Sequence, residues 1–113
     1  MNELQLLPIV LIYLQKALLG AVTKELRAVT ANIEDETTVQ VSFFCDGDIP
    51  TESLFSWENV IEKLNSWIPP NCALKAHIER LDYPQKIPVS GRYAYLRKEQ
   101  NLIQEDSIAK TQN

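Results

Sequence analysis

The sequence is poor in the residues that usually carry chemistry: one histidine, two cysteines, three glycines and one methionine in 113 residues. Three scattered glycines do not make a phosphate-cradling loop, and no serine stands in a Gly-x-Ser-x-Gly elbow, so a hydrolase of that kind has no support. Cys45 and Cys72 are not a CxxC pair and fall on apolar stripes, the pattern of buried, reduced thiols. The lone His77 alternates with Ala76 and Ile78, which puts it on the outer face of a strand. Asp46-Gly47-Asp48 suggests a divalent cation, but the further oxygen ligands of such a site do not follow it. There Gly47 reads as a turn and Asp48 as the cap of the next helix, with Glu52 favourable in its first turn. No catalytic residue, metal or cofactor is expected, and the chain reads as a non-enzyme.

Positive charge is also short. Eleven Lys+Arg against fifteen Asp+Glu give a net charge of −4, which argues against binding nucleic acid through its phosphates. No run is long enough to span a bilayer, which takes roughly 20 apolar residues. The apolar stretch from Leu4 to Leu14 follows an acidic Met1-Asn2-Glu3 and has no cleavage site after it, so it is not a signal peptide. It is either a helix docked on the core or one that lies at an interface or membrane surface. The expected location is cytoplasmic, without membrane attachment.

What is present is material for one domain, with 45% of residues apolar. Residues 3–19 read as a helix with Gly20 as its stop, Pro8 marking either its first turn or a kink. Residues 26–33 alternate loosely, with Val29, Ala31 and Ile33 on one side. Residues 37–45 alternate cleanly, with Val39, Val41, Phe43 and Cys45 on one face, and Glu34-Asp35-Glu36 makes the turn between the two strands. A helix over 51–67 carries an apolar stripe and ends at Pro69-Pro70. Strands follow at 72–81 and 92–97. The order α-β-β-α-β-β predicts an α+β domain over residues 1–98, with a four-stranded antiparallel sheet and helices on one face. Residues 99–113 read as a polar, flexible tail.

Charge is distributed unevenly. From Ala28 to Glu62 there is no Lys or Arg, while Glu34, Asp35, Glu36, Asp46, Asp48, Glu52, Glu58 and Glu62 all fall there. From Lys63 to Lys98 seven bases face only Glu79 and Asp82. The strand 37–45 spans roughly 30 Å, so its two acidic ends are far apart. A returning helix brings Glu58 and Glu62 back between them, giving a band that would attract a basic partner. The bland alternative is a solvated face. Phe44 points away from Phe43, and Phe55 lies off the helix stripe; each is an interface anchor unless the N-terminal helix covers it.

Several blocks carry a family resemblance: Ala17-Leu18-Leu19-Gly20-Ala21-Val22-Thr23, Leu26-Arg27-Ala28-Val29, Phe43-Phe44-Cys45-Asp46-Gly47, His77 through Pro84, and Gly91 through Glu99. Over residues 16–99 the chain resembles the small bacterial immunity proteins of contact-dependent growth inhibition and related polymorphic-toxin loci. The resemblance implies a protein that binds and neutralises the C-terminal domain of a cognate secreted toxin, commonly a nuclease with a basic cleft. It carries over no catalytic residue. The alternative is an interaction adaptor or chaperone-like module without a toxin partner.

Overall fold

In the computed structural model, which describes residues 3–88 and 91–99, the alternation of 37–45 becomes a strand whose Val39, Val41, Phe43 and Cys45 are completely buried. The elements follow as α1 (Glu3–Leu18), β1 (Leu26–Glu34), β2 (Thr38–Cys45), α2 (Thr51–Trp67), β3 (Ala73–Arg80) and β4 (Arg92–Leu96). The helix stripe Leu6, Val10, Leu14 and Ala17 of α1 joins Trp57, Val60 and Leu64 of α2 over the β2 face that carries Phe43. Trp57 stacks at a tilt on Phe43, ring centroids 6.0 Å apart, and its indole N–H donates to the Ala21 carbonyl at 3.0 Å. The largest buried side chain thus loses no hydrogen bond on leaving water. α1 runs from Glu3 through an exposed Pro8, so the proline does not start the helix.

The sheet differs from the one expected. β1 pairs antiparallel with β2 and with β4, but β2 and β3 run parallel, in the order β3-β2-β1-β4. It is a mixed sheet, not a wholly antiparallel one, and β3 and β4 lie on opposite edges instead of pairing as neighbours. The cause is α2: it carries the chain back along the sheet, so β3 starts from the same end as β2.

The loose alternation of the first strand also has a structural cause. Leu26 pairs with Cys45 and Ala28 with Phe44, leaving Arg27 as the extra residue of a β-bulge. The bulge lets Leu26 and Val29 share the core face with two residues between them. It also re-aims Arg27 away from that face. Apart from Glu99, the expected tail lies outside the described residues. Glu99 itself is buried.

Candidate functional site

At one end of the sheet, where β1 begins and β2, β3 and β4 finish, charged groups are joined to one another. The Arg27 guanidinium grips Glu99 with two hydrogen bonds, 2.7 and 2.9 Å, and donates a third to the Leu81 carbonyl at 2.7 Å. Both side chains of this pair are 3% exposed. Arg97 bridges Glu99 and Asp46, each at 3.0 Å. Asp82 accepts from the Gly47 amide at 2.8 Å and from Arg80, which also reaches Asp48 at 2.7 Å. The hydrogen bonds from Arg27 hold the Glu99 carboxyl below its ordinary range, and those from Arg80 do the same for Asp82. Cys45, buried beside this end, has its thiol pushed up to about 12 by desolvation and then by the Glu25 charge, so it is no nucleophile.

Two candidate residues are thereby tied to arginines. Asp46 pairs with the half-buried Arg97, and the exposed Asp48 shares Arg80 with Asp82, so both stand in ion pairs that their sequence neighbourhood did not suggest. Nor does Asp48 cap the helix: the N-cap is Pro50, without a side-chain cap bond. Phe44 is corrected too. It does point away from Phe43, but at 3% exposure in an interior strand it is no surface anchor. It stands apart from the cluster that includes α1, so that helix is not its cover.

The opposite end carries the hairpin. Asp35 and Glu36 hold left-handed backbone, φ 41° and 70°, and Thr37 donates its hydroxyl to Asp35. Glu34 pairs loosely with Lys75 at 3.4 Å. Glu52 sits in the first turn of α2, beside a depression shared with Lys24, Glu25 and Ser53. Glu52 is thus at the charged end, since the Glu25 carbonyl accepts from the Asp46 amide, whereas Glu34, Asp35 and Glu36 lie at the far end, and the ten candidates therefore do not form a single surface.

Three of them do come together. Phe55, Glu58 and Glu62, spaced three and four apart, fall on one outward face of α2 because the opposite face is held down by Ser53, Trp57, Val60 and Leu64. Phe55 is 63% exposed. Among the described residues no base pairs with Glu58 or Glu62, and the neighbouring Lys63 lines a depression on the other flank with Ala17 and Leu19. Beside this face lies an open groove of about 380 Å³ between α2 and β3, lined by Glu58, Ile61, Glu62, Asn65, Leu74 and Ala76. Its floor is apolar and its α2 wall carries two carboxylates. Ile61, Asn65, Leu74 and Ala76 were not among the sequence candidates. The signal that could have found them is the strand–helix–strand spacing over 38–80, which requires a crossover and a parallel β3 alongside α2.

Among the described residues no group of three or more His, Cys, Asp or Glu side chains could hold a metal ion, and no helix is long and apolar enough to cross a membrane. What this surface offers is shape and negative charge for another macromolecule. Comparison with protein families finds that residues 9–99 match the model described as MafI2 immunity protein. Comparison with curated proteins finds no match.

Proposed function

The chain belongs to the MafI2 immunity protein family, and from that premise we propose that it neutralises a cognate secreted toxin, a basic nuclease, by docking it on the acidic outward face of α2. Immunity in this family implies a toxin partner; the nuclease chemistry and the docking face are the proposal. One observation carries it: among the described residues no base pairs with Glu58 or Glu62, which stand beside an exposed Phe55 and a groove with apolar lining. A cleft that holds a polyanion is basic, so carboxylates at this spacing complement it and speed the encounter, while the aromatic ring supplies desolvated contact area. Inhibition then works by occupying the cleft and needs no catalytic residue. The place of action would be the cytoplasm, where a nuclease meets its substrate.

The test is to titrate the Glu58→Lys/Glu62→Lys double variant against the co-encoded toxin domain at low and moderate salt. The expected result is slower association, a flatter salt dependence and loss of protection from the toxin in cells, with an unchanged melting temperature. Unchanged affinity and salt slope would make these carboxylates a solvated face.

A further inference from the structure

β3 is an open edge. Its inner side is fully paired with β2 in unbroken parallel register from Ala73 to Arg80, and no strand pairs with its outer side among the described residues. Natural edges are usually blunted by brevity, proline or a bulge. β3 has eight residues, no proline and no register shift; Lys75 is its single lysine. The other edge, β4, is only five residues long and is irregular against β1 between Val29 and Thr30. Of the two edges, β3 is the one built as a template.

The backbone phase of β3 is fixed by its two terminal bonds. Ala73 N–H donates to Thr37 and Leu81 N–H to Cys45. With a period of two, the amides of 73, 75, 77, 79 and 81 turn toward β2, and those of Leu74, Ala76 and Ile78 turn outward. The side chains of Leu74 and Ala76 line the groove beneath Glu58 and Glu62. Outward backbone groups and two carboxylates that no base pairs with among the described residues therefore border the same groove.

We propose that an extended segment of the toxin adds to β3 as a further strand, with basic side chains on the face it turns toward α2. This rests on the toxin-neutralising reading above and specifies how the contact is made. Main-chain hydrogen bonds to Leu74, Ala76 and Ile78 would set the register, and Glu58 and Glu62 would select Lys or Arg at alternate positions. On its other face the segment would meet Lys75, His77 and Glu79, so neutral or acidic residues suit it there. A second copy of this chain fits worse, because two copies joined edge to edge would bring both pairs of glutamates to one seam.

The experiment is amide hydrogen exchange on the full chain, free and bound to the co-encoded toxin domain. Leu74, Ala76 and Ile78 should exchange rapidly when free and slow by about tenfold or more in the complex, while His77 is protected in both. An independent arm uses Ala76→Pro, which removes an outward N–H but no bond to β2, with Ala76→Val as the variant that keeps it. The proline variant should bind the toxin about tenfold more weakly than the valine one. If the complex forms and the three amides still exchange rapidly, edge pairing is wrong and docking on the acidic face survives. If no complex forms, the toxin-neutralising reading falls with it. Protection of these amides in the toxin-free protein that grows with concentration would assign the edge to a second copy and overturn the proposal.

Discussion

Glu99 shows how much one carboxylate can decide. It is a polar residue at the border of the tail, and it is buried against Arg27 on the bulge of β1, 72 positions away in sequence. Removing one member of such a pair leaves the other charge buried and unpaired, so Glu99→Ala should cost about 3–5 kcal/mol of stability, read from urea unfolding. The pH dependence follows from the same contact. Because Arg27 lowers the Glu99 carboxyl below its ordinary 4.5, the folded state binds fewer protons than the unfolded one in that range. Its contribution is complete above the ordinary value and is lost as pH falls through the lower, folded one. The melting temperature should stay level above about pH 5 and fall below it. In Glu99→Gln it should start lower at neutral pH and fall less, the remaining decline belonging to Asp82 and Glu25, whose carboxyls are lowered in the same direction. A parallel decline in both proteins would mean that Glu99 does not supply the acid sensitivity.

Elements were legible where one segment contains its own signal. β2 announced itself by strict alternation and α2 by its stripe and the prolines after it, and both lie where expected, β2 at Thr38–Cys45 and α2 at Thr51–Trp67. The direction of β3 was not legible from its own residues, because alternation is the same in parallel and antiparallel strands; only the crossover through α2 decides it. Arg27 was hidden for a related reason, since a bulge breaks the period that reveals a strand. β4 depends on a position outside its own span. Gly91 holds φ +139°, and a Cβ there would strike the Ala31 carbonyl oxygen of β1. Gly91→Ala should therefore strain the entry to β4 and destabilise the domain by about 1–3 kcal/mol, seen as a lower urea midpoint with β4 amides exchanging fastest. A midpoint equal to that of the native chain would show that β4 can shift to make room.

At the scale of the whole molecule, the sequence holds two populations of acids that look alike when written in a line. Glu58 and Glu62 were legible as one face because helical spacing alone puts them together, whereas Phe55 read only as lying off the apolar stripe. The ion pairs of Asp46 and Asp48 were not legible, because their partners, Arg97 and Arg80, lie 51 and 32 positions away in the basic half. The acidic and basic halves meet in ion pairs at one end of the sheet, while Glu58 and Glu62 on α2 have no base paired to them among the described residues and stand beside a groove. This separation gives a paired prediction. Asp46→Lys/Asp48→Lys and Glu58→Lys/Glu62→Lys change the net charge equally. The first sets lysines against Arg97 and Arg80 and removes the acceptor of the Tyr83 amide, so it should lower the melting temperature and weaken toxin binding only as far as folding is lost. The second should leave the melting temperature in place and lose binding through the association rate. Thermal scans and association kinetics on the same two proteins decide the matter. Equal losses of association rate in two folded proteins would mean that net charge, and not the placement of Glu58 and Glu62 on α2, governs recognition.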